Sequence, residues 1–268
     1  MAALHPLLSE SLPPAEAETG VASAGHATPS FSPLYQQIKL LILQSLQSGE
    51  RKPSAAIPSE MELAARFKVS QGTVRKAIDE LSADNLLVRR QGKGTFVATH
   101  AERNVQYRFL KLYPNNGDPK SEGPAQRRIV NCVTGSADSA TASALALQTG
   151  DAVLQVRRVL SFSEVPTILE DIWLPGAPFE GLTAQRLAAY DGPMYALFET
   201  EFDVQMVRAE EKIRSVLPTP DQSDLLCIPA QTPLLSVERI AYTYNDVPME
   251  LRRGLYLTDT HYYRNVLN

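Results

Sequence analysis

Two helix-start signals stand eleven residues apart near the front of this 268-residue chain, and that spacing constrains the fold more than any other feature. Ser59 with Glu62 three residues on forms a capping box ahead of Leu63, Ala64 and Phe67. Ser70 is a second N-cap, ahead of Val74, Ala77, Ile78 and Leu81 at i, i+3, i+4 and i+7. The interval leaves room for one helix of about two turns and a very short connection. Upstream, Leu34, Ile38, Leu41, Ile42 and Leu46 recur at helical spacing between Pro33 and Gly49. Downstream, Leu86 to Arg90 and Thr95 to Val97 read as short strands around the basic turn Gln91-Gly92-Lys93-Gly94.

Two helices joined so tightly have helix-turn-helix spacing, in which the second helix enters the major groove and offers its first-turn side chains to base edges. Those positions are Gln71, Gly72, Thr73 and Arg75, with Lys76 beside them. Gln pairs with adenine, Thr meets a thymine methyl, and Arg takes guanine or a phosphate. Gly72 is a poor choice for a first helical turn unless the backbone approaches DNA closely. Arg89, Arg90 and Lys93 on the hairpin suit phosphate or minor-groove contact, flanked by Gly92 and Thr95. The caps Ser59 and Ser70 complete the candidate DNA-binding set.

Charge supports this only when counted locally. The whole chain carries −4, which argues against a nucleic-acid partner. Residues 31–99, however, hold ten basic and six acidic side chains, a net of +4, while residues 100–268 hold 16 and 21. Taken singly, the helix pair could be plain packing and the basic turn a solvated loop. Their order within about 65 residues is what indicates a winged helix-turn-helix.

The runs Pro33-Leu34-Tyr35-Gln36-Gln37-Ile38, Ile57-Pro58-Ser59-Glu60, Val69 to Ile78 and Arg89 to Val97 closely resemble the N-terminal domain of GntR-family bacterial transcription regulators. The resemblance implies a dimer on a short pseudo-palindromic operator. Met61 and Gln71 stand where the family commonly has DNA-contacting arginines, so the operator should differ from the family's usual one.

Residues 1–30 contain no Lys or Arg, have three acids and lack periodicity, and are expected to be a disordered tail. Domain boundaries are expected at 31–99 for the DNA-binding module, 100–115 for a linker with a first strand at Tyr107 to Leu112, and 116–268 for a second domain. Asn115-Asn116-Gly117-Asp118-Pro119 is a turn signal. An internal repeat then appears: Leu154 to Val159 with Phe162 to Pro166 parallels Leu235 to Ile240 with Tyr244 to Pro248. The offset is 81 residues in the first block and 82 in the second. Each copy reads as a β-hairpin, with Ser163-Glu164 or Asn245-Asp246 as its turn. A helical stretch at Met194 to Phe202 lies between them, giving an α+β domain on an antiparallel sheet.

Strand alternation puts Leu154, Val156, Arg158, Leu160 and Phe162 on one face, and Ile168, Glu170, Ile172 and Leu174 on one face of the return strand. The turn sets Arg158 opposite Glu170. An opposed charge pair on an apolar face is either a buried structural ion pair or a polar anchor lining a ligand cavity, and both readings stand. Glu250, Arg252 and Tyr256 share a face of the last hairpin, which read alone would be a solvated edge.

These stretches, with Trp173-Leu174-Pro175, Met194 to Glu199, Ala209 to Ile213 and Pro248-Met249-Glu250, are similar to the UTRA effector domain of HutC-type GntR regulators. The resemblance implies a chorismate-lyase-like fold that binds small molecules without converting them, with Arg158, Glu170, Glu250 and Tyr256 at effector-pocket positions. Members that sense phosphorylated sugars carry a second arginine where Leu160 stands, so an organic acid and a sugar phosphate are both candidate effectors. The family's Gly-Asp-Arg-Tyr ending is replaced by Thr258-Asp259-Thr260-His261-Tyr262-Tyr263.

The opposing class is a lyase-type enzyme on this fold with an appended DNA-binding domain. The chain shows no G-x-S-x-G elbow, P-loop or HExxH, and its four histidines are scattered, so no catalytic residue, metal or cofactor is expected. An architectural DNA-binding protein would leave the acidic second domain without a role. No apolar run reaches the ~18 residues of a membrane span, and Cys132 and Cys227 lie far apart, so a cytoplasmic protein with reduced thiols is expected.

Overall fold

The computed structural model describes residues 32–100, 111–117 and 123–265. The expected tail at 1–30, most of the strand expected at Tyr107 to Leu112, and the Asp118-Pro119 end of the turn lie outside the described residues.

The N-terminal module is a three-helix unit with a two-stranded wing. Helix α1 (Leu34–Gln47) ends just before Gly49, whose φ of +70° closes the segment. Ile38, Ile42 and Leu46 are buried, but Leu34 and Leu41 are about half exposed, so the apolar stripe is narrower than its periodicity suggests. Helix α2 (Glu60–Phe67) starts on the expected capping box: Ser59 Oγ accepts from the Glu62 amide at 3.2 Å, and Glu62 answers to the Ser59 amide at 2.8 Å. It stops at Lys68 in the left-handed conformation. After two further residues, helix α3 (Gln71–Ala83) begins on Ser70, which accepts from Thr73. Val74, Ala77, Ile78 and Leu81 are all essentially inaccessible and join the α1 stripe, Leu63 and Val97 in one core. Strands β1 (Leu87–Arg90) and β2 (Gly94–Val97) form the wing, closed by the Lys93 amide on the Arg90 carbonyl at 2.9 Å with Gly92 at φ +69°.

A short strand β3 (Leu112–Pro114) pairs with β10 (His261–Tyr263). Between them lies a six-stranded antiparallel sheet: β4 (Gln126–Ser136), β5 (Ala152–Phe162), β6 (Val165–Pro175), β7 (Arg208–Val216), β8 (Leu234–Tyr242) and β9 (Pro248–Leu257), in the order β4-β5-β6-β9-β8-β7. The sheet is two three-strand copies joined along β6 and β9. The repeat is therefore larger than the two hairpins its sequence displays, because each copy also carries a helix between its first and second strands. These are α4 (Ser139–Leu145) and α7 (Pro220–Leu226), capped by Asp138 and Thr219, which are 81 residues apart. Both helices end in a left-handed residue, Ala146 and Cys227, again 81 apart. Helix α4 packs chiefly over β9 and α7 over β6, so each helix covers a strand of the other copy.

The one-residue change of offset has a structural cause. The first hairpin turns through Ser163-Glu164, both with positive φ. The second turns through three residues, Tyr244-Asn245-Asp246, after a Thr243 amide bond to the Val247 carbonyl. The expected two-residue turn at Asn245-Asp246 is thus one residue short. Helices α5 (Ala184–Ala189) and α6 (Met194–Glu201) cover the sheet face opposite α4 and α7. Both sheet faces are buried, which is why β5 and β6 carry Val153, Val159 and Leu169 on the side away from Arg158. No described helix is long and apolar enough to cross a membrane.

Candidate DNA interface and effector site

The side chains singled out on the reading module converge on one surface. Gln71, Gly72, Arg75 and Lys76 are exposed on the first turns of α3, and Thr73 is half buried, its hydroxyl 2.9 Å from Ser70 Oγ. A Cβ at Gly72 would meet only Ser70 Oγ, at 3.8 Å, so nothing within the described chain requires glycine there. Glu60 ties this helix to the wing: Arg75 Nε and Nη2 both donate to its Oε2 at 2.9 Å, and Arg89 Nη2 donates to its Oε1 at 3.2 Å. Arg89 also reaches Asp79 at 2.6 Å. Lys76 lies over the Tyr35 ring at 3.9 Å, and Arg90 over Phe96 at 4.4 Å, which presses Arg90 against the wing while Gly92 and Lys93 stay exposed at its tip. Thr95 is half buried, and its carbonyl accepts from the Ile57 amide. Ser59 serves α2 as its cap, as described above.

In the second domain, Arg158 and Glu170 are register partners, as the turn symmetry requires. Arg158 Nε donates to Glu170 Oε2 at 2.6 Å. Glu250, Arg252 and Tyr256, which read alone would more often be a solvated edge, lie on β9, a central strand, and are 0%, 6% and 1% exposed. Pairing order was not legible from the hairpin alone, and it is the β6–β9 junction that buries them. Arg252 bridges two carboxylates, donating to Glu170 Oε1 at 2.8 Å and bidentately to Glu250 at 2.9 and 2.7 Å. The Tyr195 hydroxyl on α6 donates to Glu250 at 2.7 Å, and the Arg252 guanidinium lies 5.4 Å from the Tyr195 ring centre. Tyr256 folds over Gly254, where any Cβ would sit 2.5 Å from its ring.

Burial alone would raise the Glu170 pKa, but Arg158 and Arg252 outweigh it and hold the carboxyl down to about 2. Burial and the Glu170 charge push Tyr256 up to about 12. Arg252 is held firmly charged: burial opposes this, but Glu170 and Glu250 overcome it.

A residue that sequence reasoning missed stands beside these. Arg239 is 2% exposed and directly opposite Arg252 in the ladder. It donates to Glu211 at 2.8 and 2.6 Å, and Glu211 also accepts from the Tyr263 hydroxyl and, at 3.5 Å, from Lys111. Arg239 is Arg158 displaced by the repeat offset of 81, so the repeat held the signal that would have found it. Arg127, also unanticipated, donates to the carbonyls of Leu187 and Gly192 at 2.8 and 2.5 Å, and burial together with nearby Arg158 lowers its pKa.

A winged helix-turn-helix with an exposed basic reading surface, joined to a sheet whose inner face carries paired buried charges, defines a DNA-binding regulator with a sensory domain. The model of the bacterial regulatory proteins of the gntR family matches residues 34–97, and the UTRA domain model matches residues 123–262. The chain belongs to the GntR family and is a transcription regulator, not an enzyme. It is 30% identical to the mannosyl-D-glycerate transport/metabolism system repressor MngR of Escherichia coli K12, over 85% of this chain and 93% of that one. The ligand-binding domain of a putative GntR-family transcriptional regulator from Bordetella bronchiseptica shares 49% identity at a TM-score of 0.58, covering 61% of this chain and all of that one. PhnF from Mycobacterium smegmatis shares 27% identity at a TM-score of 0.51, over 86% and 99%. Regulators of this family bind DNA operators, and bind effectors in the UTRA domain.

Proposed function

We propose that the protein is a dimeric repressor whose α3 first turn and wing read a pseudo-palindromic operator, and that a small effector on the Arg158 face of the sheet releases it. In this reading Gln71, Thr73 and Arg75 contact bases, and Lys76, Arg89 and Lys93 contact phosphates. The observation that carries the effector site is the state of Arg158. The residue is 5% exposed, its Nε is committed to Glu170, and among the described residues its Nη1 meets only the Met194 thioether, at 3.5 Å. A thioether is a weak acceptor, so this buried guanidinium edge favours an incoming anion. Glu250 and Tyr256 lie on the same sheet face along β9, four residues before and two after Gly254, the register partner of Glu170.

Both a carboxylate and a sugar phosphate satisfy that chemistry. The Escherichia coli relative is named for repression of mannosyl-D-glycerate transport and metabolism, so a sugar linked to a carboxylate belongs among the compounds to be tried. The test is a thermal-shift screen of sugar phosphates and small sugar or organic acids, followed by operator gel shifts with each stabilising compound. A ligand that binds only the folded state raises the melting temperature. The reading requires at least one compound that raises it and also lowers operator affinity. Compounds that stabilise the protein without changing operator binding would contradict it.

A further inference from the structure

Helix α6 touches the charged sheet face at one position and the exit of the DNA-reading module at another. Glu199 is buried, and its carboxylate accepts the His100 amide through both oxygens at 3.0 and 3.2 Å and the Thr99 hydroxyl at 2.7 Å. The His100 ring Nδ1 lies against the same carboxylate. Thr99 and His100 follow β2 after a single residue, Ala98, so Glu199 grips the chain just where it leaves the wing. Gln205 adds a bond to the Ala98 carbonyl at 2.6 Å and is itself held by the Tyr244 hydroxyl.

One helical turn before Glu199, on the same side of α6, is Tyr195. Its hydroxyl is bound to Glu250, its ring faces Arg252, and it meets the His100 ring edge-on at 5.4 Å and 80°. The contacts therefore run without a gap from Arg158 through Glu170, Arg252, Glu250 and Tyr195 to His100, and through the body of α6 to Glu199.

We propose that α6 couples the effector face to the reading module, with Tyr195 and Glu199 as its positioning residues. The inference rests on the reading of the Arg158 face as the effector site and adds how that site is heard. An anion that draws Arg158 or Arg252 away from their carboxylates changes what holds Glu250, and Glu250 is the acceptor that fixes Tyr195. Helix α6 is buried from Met194 to Glu199, so it shifts as a packed unit and does not bend locally. A buried carboxylate is costly to strip of its donors. A shift of α6 therefore either carries Thr99 and His100 with it or breaks their bonds to Glu199 together. Both outcomes change the tether of the wing, and the second gives the linker two discrete states.

Hydrogen exchange on the full chain tests this without an effector in hand. The His100 amide is the reporter, and Tyr195→Phe removes the hydroxyl bond to Glu250 while keeping the ring. Arg252→Lys keeps the charge but loses the bidentate grip, and Glu199→Gln calibrates direct loosening of the latch. Thr200→Ala, on the same helix, removes hydroxyl bonds to the Ala196 and Leu197 carbonyls, both within α6. Tyr195→Phe and Arg252→Lys should each speed exchange at His100 on the order of tenfold, with β5 and β6 amides unchanged. Thr200→Ala should leave His100 as in the parent protein. If His100 responds to Glu199→Gln but not to Tyr195→Phe, Glu199 is a fixed latch and the coupling is wrong. If Thr200→Ala has the same effect as Tyr195→Phe, or all amides speed up together with a fall in melting temperature, the effect is general loosening and the coupling is again wrong. Should Arg252→Lys fail to fold, Tyr195→Phe decides alone. The His100 response with no compound able to shift operator binding would keep the coupling and refute the effector reading.

Discussion

Glu60 accepts from Arg75 at 2.9 Å through one carboxylate oxygen and from Arg89 at 3.2 Å through the other. One acid at the start of α2 thus sets the resting position of a recognition-helix arginine and a wing arginine together. Both arginines are about half exposed, so the pair contributes less than about 1 kcal/mol to stability. On the proposed reading of α3 and the wing, its value lies in pre-aiming the two cations. Glu60→Ala should leave the melting temperature within a degree or two, lower operator affinity severalfold, and leave affinity for random DNA unchanged or higher. Parallel titrations of operator and random duplex measure the ratio, and an unchanged ratio would show that Glu60 does not aim these side chains.

Gly72 separates folding from function. Alanine meets only Ser70 Oγ, at an ordinary contact distance, and is favoured over glycine in a helix by about 1 kcal/mol. Gly72→Ala should therefore melt at the same or a higher temperature and bind the operator at least tenfold more weakly. Retained operator affinity would show that DNA does not approach the backbone here.

The acid limb of stability should report Glu170. Its carboxyl is held to about 2 in the folded protein, below its ordinary value of 4.5. A group depressed in this way contributes stability that is fully present above 4.5 and is lost as pH falls toward 2. Urea midpoints should be steady near neutrality and drop through that window. Glu170→Gln leaves Arg158 and Arg252 without their shared carboxylate, costing about 3–5 kcal/mol at neutral pH, and should flatten the drop. An equally steep acid limb in the variant would assign the effect to other carboxylates.

Much of the reading module was legible because its signals are local: a capping box, a second N-cap, an i, i+3, i+4 stripe and a glycine turn each act within a few residues. Leu34 and Leu41 were overcounted because periodicity alone does not say how wide a stripe a small three-helix core can cover. The second domain was legible up to its hairpins and the Arg158–Glu170 register. Its sheet order was not, because the β6–β9 pairing joins residues about 80 apart through no turn signal. That one pairing puts Glu250, Arg252 and Tyr256, which their hairpin read alone would leave at an edge, at the centre of the sheet. Helices α4 and α7 are each seven residues long, too short for periodicity, and their signals lay in the repeat offset, the Asp138 cap and the Thr219–Gln222 capping box.

The measurement that bears most directly on the central claim is operator affinity of Arg158→Met with and without a compound that stabilises the parent protein. Arg252 still compensates Glu170 in this variant, so the fold is expected to survive. No release by the compound is expected in this variant at concentrations that release the parent protein from the operator. Release by the same concentration as for the parent protein would contradict it.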